Sequence, residues 1–137
     1  MSEDREILYC GDIERRVVKM ESSHSILMTV RKALGLGESD TTFDEEILLH
    51  INSSIGKLSQ NGAVKNIFVS GEDSLWDSLL HDHDSMGMIT SFIFLNVKVL
   101  FDPPPPSTIQ YYNSQIEELL WRLKVSYEKL VIKNESR

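Results

Sequence analysis

The chain has 137 residues, 41% of them apolar, enough for one lean core and not for two domains. Fourteen Lys and Arg against 21 Asp and Glu leave a formal charge of −7, which excludes nonspecific capture of DNA or of an anionic membrane, since both need a positive surface. The single cysteine, Cys10, excludes an internal disulfide framework and a Cys-based zinc cluster, and points to a reducing compartment such as a cytosol.

The start of the chain, Met1 to Glu6, is charged, and no apolar run of about 7–15 residues follows, unlike a secretory signal. Ile7-Leu8-Tyr9, the Cys10-Gly11-Asp12 turn and Val17-Val18 after Arg15-Arg16 fit a small hairpin, a short helix, or an arm that orders on a partner. The pattern does not choose among these. Residues 1–24 are therefore separated as an N-terminal arm or extension. Its contact candidates are Ile7, Leu8, Tyr9, Arg15 and Arg16.

Residues 25–36 read as a helix with Ile26, Val30, Ala33 and Leu34 on one face, stopped by Gly35 and Gly37. Thr42-Phe43-Asp44-Glu45 matches a capping box. The helix it opens puts Ile47, Ile51, Ile55 and Leu58 on one stripe until Asn61-Gly62 ends it. Val64, Ile67, Phe68 and Val69 make either one short strand or an ordered loop, with no clear second strand to pair with. Ser74-Leu75-Trp76-Asp77 resembles a second cap for a short helix ending near Leu80, with Trp76 as its anchor in the core.

Met86 to Phe101 draws eleven of its sixteen residues from Met, Ile, Leu, Val and Phe. It is shorter than the ~20 residues that span a bilayer and contains Lys98, so it reads as a central core helix with Phe92 and Leu95 inside. It stops at Asp102, because the four prolines from Pro103 to Pro106 cannot continue the ladder. In polyproline II geometry they form a stiff spacer of roughly 12 Å. Ser107 to Gln110 matches a third capping box, opening a long helix with Ile109, Ile116, Leu123 and Leu130 seven apart and Tyr112 and Leu119 between them. The expected fold is all-α: a small bundle of about four main helices plus one short helix over residues 25–137, with a long C-terminal helix after a proline corner.

Charge is uneven along the chain. Residues 38–84 carry ten acids against Lys57 and Lys65, a net −8, whereas residues 85–137 carry five acids and six bases.

No residue constellation points to catalysis. His81-Asp82-His83-Asp84 has metal-ligand residue types, but adjacent residues rarely supply three convergent ligands, and His24 and His50 show no ligand spacing. A solvated loop between helices is the preferred reading, and no metal or cofactor is assigned. There is no G-x-S-x-G elbow, and Cys10 sits in the segment least suited to rigid positioning. Asp44, Glu45 and Glu46 fit the first turn of a helix, where acids complement the dipole. Gly35-Leu36-Gly37 lacks the Lys and Ser or Thr of a phosphate-binding loop. Trp121 and Arg122 are candidates for a contact with another subunit, being residue types enriched at interface hot spots. Lys124, Lys129, Leu130, Val131, Ile132 and Lys133 join them, since these residues follow the last strong core positions with little chain left to cover them.

Three segments carry a resemblance. They are Phe43-Asp44-Glu45-Glu46-Ile47 through Asn61-Gly62, then Leu95 to Pro104 (LNVKVLFDPP), then Ile116 to Leu123 (IEELLWRL). In this order, with Trp76 between the first two, the chain resembles the head–tail connector (adaptor, or head-completion) proteins of long-tailed bacteriophages and prophages over roughly residues 25–125. The break at DPP followed by the E-x-x-W-R-L-like helix is the most specific part. The resemblance implies a non-enzymatic, all-helical subunit of the virion neck, forming a dodecameric ring below the portal protein. That ring extends the channel through which DNA leaves the capsid and docks the next neck or tail-completion protein. The chain departs from the pattern in an extension over about residues 1–22 and in a longer proline run. A second reading is a small helical phage-encoded module that binds a host or phage protein. A third and weaker one is a metal-dependent enzyme using His81 and His83.

The charge predicts weak or absent binding to duplex DNA at physiological ionic strength, despite a place beside DNA. A gel shift with submicromolar affinity in that buffer would contradict this.

Overall fold

The computed structural model describes residues 24–37 and 39–135. Five α-helices carry the fold: α1 (Ile26–Ala33), α2 (Asp44–Gln60), the single turn α3 (Trp76–Leu79), α4 (Met86–Phe101) and α5 (Pro106–Glu135). A 3₁₀ turn at His83–Ser85 leads into α4. The described residues contain isolated antiparallel bridges, Ser25 with Leu75 and Val64 with Leu80, and no strand. The expected all-α bundle is what forms.

The helix stops work as the sequence predicts. Gly35 and Gly62 adopt φ of +89° and +85° and let the chain turn back on the last helical turn. After α1, the N–H of Gly35 donates to the Lys32 carbonyl and that of Leu36 to the Arg31 carbonyl. After α2, Gly62 and Ala63 repeat the pattern on Ser59 and Leu58. Both ends are Schellman motifs, which satisfy carbonyls that a helix end leaves open.

The starts differ from expectation at three places. The Thr42–Glu45 box does not form. Thr42 instead donates its N–H to Asp40 Oδ1 (3.2 Å), which spends that residue on a turn and leaves Phe43 at the cap with no side-chain bond. That bond, with the Thr42 hydroxyl as the larger contribution, holds the Asp40 carboxyl below its usual value. At α3 the cap position falls on Leu75, and backbone does the work of the expected Ser74 side chain. Trp76 N–H, the first of α3, donates to the His24 carbonyl (3.2 Å), and in return the Ser74 carbonyl accepts the Ile26 N–H at the start of α1 (3.0 Å). At α5, Pro106 is already helical, so the spacer is three prolines rather than four and Ser107 lies inside the helix. Proline suits a first helical position because its missing N–H has no partner there anyway. Thr108 and Ile109 both donate to the Pro105 carbonyl.

The segment between α2 and α3 is an ordered loop. Asn52 on α2 holds it with two bonds, accepting the Val69 N–H (2.8 Å) and donating to the Val69 carbonyl (2.9 Å). Val69 is fully buried while Phe68 points out, with 74% of its surface exposed.

At the centre, α4 packs between α2 and α5. The stretch His83–Phe101 is long and apolar enough to cross a membrane by length and composition, and here it is the covered core helix. The α2 stripe Ile47, Ile51, Ile55 and Leu58 meets Ile89, Phe92, Ile93 and Val97 of α4, all essentially removed from water. Trp76 is buried as expected, and its Nε1–H donates to Thr29 Oγ1 (3.1 Å). Leu95 is only half-buried, so Phe92 is the deeper residue of the expected pair. A polar ladder crosses the α2–α4 seam: Asn96 Nδ2 donates to Ser54 Oγ (2.7 Å), and Ser54 Oγ donates to the His50 carbonyl (2.9 Å).

One side chain is inside that pattern alone would place outside. Arg31 on α1 is completely buried. Its Nε and Nη2 fork onto the two oxygens of Asp44 (3.1 and 2.7 Å), and Nη2 also reaches Glu72 Oε2 (3.0 Å). Asp44 raises the guanidinium pKa most, and burial, which opposes the charge, does not outweigh the two carboxylates. Arg31 therefore ties α1 to the start of α2 and to the loop before α3.

Three substitutions test this packing by denaturant unfolding. Phe92→Ala is expected to cost about 3–5 kcal/mol. Asp44→Ala, which strips a buried cation of its main partner, is expected to cost about 2–3 kcal/mol. Glu72→Ala, at a half-exposed carboxylate, is expected to cost less than about 1 kcal/mol. Equal losses at Asp44 and Glu72 would contradict the order of the two contacts.

Candidate functional site

The helix α5 spans 30 residues, about 45 Å, nearly twice the length of α2. Its inner face carries Ile116, Leu119, Leu120 and Leu123, packed against the core, with Leu123 the most buried. Two contacts fix its height. Asn61 Nδ2, at the C-terminus of α2, donates to the Leu120 carbonyl (3.1 Å). About two turns further on, the Tyr127 ring lies over Gly62, where a Cβ would stand 2.5 Å from the ring. Tyr127 also stacks at a tilt on His81, with ring centres 5.7 Å apart.

Tyr127 shifts one sequence-based boundary. The sequence pattern takes Lys124, Lys129 and the residues around them as following the last strong core positions, which leaves no core role for Tyr127. Tyr127 instead belongs to the clamp that holds α5 on the body, because Gly62 leaves the space its ring fills.

The outward face lies opposite. Trp121 and Ile132 each leave 65% of their surface exposed, and half-buried Val125 lies between them at helical spacing. Arg122 is exposed and pairs loosely along the helix with Glu118 (3.6 Å). Lys124 and Lys129 are exposed, and Val131 is half-buried. Leu130 and Lys133 lie on the same helix, and their side chains fall outside what the structure describes. Thus α5 brings Trp121, Arg122, Lys129 and Ile132 to one outer side. Ile7, Leu8, Tyr9, Arg15 and Arg16 lie outside the described residues.

The His81–Asp84 segment has local structural roles. Asp82 Oδ1 accepts the N–H groups of Asp84 (2.8 Å) and Ser85 (3.3 Å), capping the turn that starts α4. His83 Nε2 meets Asp77 Oδ1 at 3.1 Å on the surface. Among the described residues, no three of His, Cys, Asp and Glu converge on one point. A cleft lined by Ala63, His81, Asp82, Ser85, Leu123, Ser126 and Tyr127 holds about 40 Å³, room for about three waters.

A small helical body with a long helix that presents exposed Trp121 and Ile132 among charges of both signs has the features of an assembly protein. A family model described as phage connector protein matches residues 26–130, and the chain belongs to that family. Its role is that of a structural connector at the head–tail junction of a phage particle. Neither a curated protein nor a solved structure matches the chain.

Two substitutions separate clamp from surface in a thermal melt. Gly62→Ala is expected to cost about 2 kcal/mol or more, from the left-handed backbone and the clash with Tyr127. Trp121→Ala is expected to cost less than about 0.5 kcal/mol, because most of the ring is already in water. A large loss at Trp121 would mean that its ring supports the fold.

Proposed function

We propose that copies of this chain form a ring between the portal and the tail, a dodecamer as the family resemblance implies. The ring extends the DNA channel and docks the next neck or tail-completion protein. Residues 1–24 act as a contact arm and residues 25–137 as the connector domain. The observation that carries this reading is the exposed outer face of α5 on a helix firmly clamped to the body. Trp121, Arg122, Lys124, Lys129, Leu130, Val131, Ile132 and Lys133 make the contacts to portal or to a neighbouring copy. Ile7, Leu8, Tyr9, Arg15 and Arg16 make those of the arm.

The mechanism is shape and assembly, with no catalytic step, metal or cofactor. Assembly takes place in the host cytoplasm, and no membrane is involved. DNA passes without being gripped, since a chain at −7 repels phosphate at short range while salt screens the rest. A ring made by head-to-tail contacts needs two different complementary patches on each subunit. The acidic middle and the more basic C-terminal third supply opposite charge for them.

The test is truncation after Glu128, which keeps Tyr127 on Gly62 and removes the end of α5. The shortened chain is expected to stay soluble, helical and cooperatively melting, and to stop co-purifying with its portal protein. Particles built with it are expected to package DNA and then leak it, or to fail to attach tails. Infectious particles completed with the shortened chain would contradict the contact role of this segment. Outright unfolding would make the segment core and move the contacts to the arm.

A further inference from the structure

The dipeptide that seats α5, Asn61-Gly62, is the one Asn-Gly pair in the chain. An asparagine before glycine is open to ring closure, because glycine has no side chain to shield its backbone nitrogen. The Gly62 nitrogen, once it gives up its proton to solvent base, attacks Asn61 Cγ. The Cγ–Nδ2 bond breaks and ammonia leaves. Water then opens the five-membered imide at either carbonyl, giving aspartate, or isoaspartate with the side-chain carbon drawn into the main chain. Most folds escape this chemistry by placing a bulkier residue after the asparagine. Here glycine is required, since position 62 has φ +85° and any Cβ would strike the Tyr127 ring.

The folded chain blocks each part of the reaction. Imide formation needs the Gly62 nitrogen eclipsed with Asn61 Cβ. At the ψ of −10° found for Asn61, it is eclipsed with that residue's own nitrogen instead. Rotation is resisted by the Asn61 and Gly62 N–H groups, which donate to the Leu58 and Ser59 carbonyls (3.2 and 3.0 Å). These holds belong to a helix end, and helix ends fray. The other two come from α5: Asn61 Nδ2 donates to the Leu120 carbonyl (3.1 Å), and the Tyr127 ring covers Gly62.

We propose that Asn61 is a site of spontaneous deamidation that the docked α5 keeps closed, and that its conversion unseats α5. A carboxylate has no proton to donate, so its oxygen would face the Leu120 carbonyl as acceptor against acceptor. It would also set a negative charge at the C-terminus of α2, the unfavourable end of the helix dipole. Isoaspartate lengthens the main chain before Gly62 and shifts the Gly62 and Ala63 N–H groups off the carbonyls they hold. Either product loosens the seat from which α5 presents its outer face. This holds whatever that face meets, so it stands apart from the ring reading.

The test follows conversion at Asn61 by peptide mapping and mass spectrometry, with the full chain kept in warm, mildly alkaline buffer. Conversion is expected to be at least about tenfold slower in the folded chain than in the same chain unfolded in urea. Tyr127→Ala is expected to speed it at least about threefold, while Tyr127→Phe, which keeps the ring, leaves it unchanged. Asp44→Ala loosens the far end of α2 and is expected to leave the rate unchanged, since the opening that matters is that of α5. Asn61→Asp, as the product, is expected to melt about 3–6 °C below the wild type and to be cut faster by trypsin after Lys124. Folded and unfolded chains that convert equally fast would overturn the protection. Equal acceleration by Asp44→Ala and Tyr127→Ala would assign it to global stability and not to α5. An Asn61→Asp chain that melts and resists trypsin like the wild type would overturn the unseating.

Discussion

A guanidinium removed from water must be held by negative charge, and the arrangement of the first half of this fold follows from how Arg31 meets that requirement. Among the described residues it meets Asp44 at the start of α2 and Glu72 in the loop before α3, 13 and 41 residues away in sequence. Satisfying one cation therefore places three segments at once. The same contact eases a second problem. Residues 38–84 carry ten acids and two lysines, and Lys57 is turned toward Asn96 (3.3 Å). A positive charge from outside the segment, placed against two of its acids, lowers the repulsion that folding this stretch would otherwise concentrate. Asp44 and Glu72 remain partly open to water, so the pair does not bear the full desolvation cost of a dry interior.

With α1, α2 and the loop fixed in this way, the remaining apolar surface of α2 is free to receive α4, and α4 in turn receives α5. The proline corner separates these last two helices sharply, since the ladder of α4 cannot run on into α5. What the corner does not set is how far along the body α5 sits. That falls to Asn61 and Gly62, the residues that end α2, which bind the Leu120 carbonyl and make room for the Tyr127 ring. One helix stop thus serves as the seat of another helix. The outer face of α5 is presented from a fixed position rather than from a swinging tail, which is what a connector subunit needs if the same contact is to repeat from copy to copy.

The legible parts of the fold were those governed by local periodicity and by backbone. The stripe Ile47–Ile51–Ile55–Leu58, the stops at Gly35 and Gly62, and the buried Trp76 follow from spacing and residue type, and all are present. The helix starts were misplaced because a Thr, Ser or Glu at the right offset is only an offer of a bond. At Thr42 the side chain of Asp40 took the backbone N–H instead, and at α3 the His24 carbonyl took the Trp76 N–H. Arg31 and Tyr127 gave no usable signal, since each acquires its meaning from residues far off in sequence. The family, by contrast, was legible from three segments spread over most of the match, with Trp121 and Arg122 in the last of them. Which surfaces of those segments face a partner is a matter of exposure, and exposure needs the fold.

The central claim is that the outer face of α5 is covered in the assembled particle. Amine-reactive cross-linking of intact particles, read by mass spectrometry, tests it most directly, because Lys124 and Lys129 are exposed on the isolated subunit. Both lysines are expected to cross-link to other chains, either portal or a second copy, and to lose reactivity toward a monofunctional label on assembly. Lysines 124 and 129 that stay fully reactive in the particle and link to no other chain would contradict it.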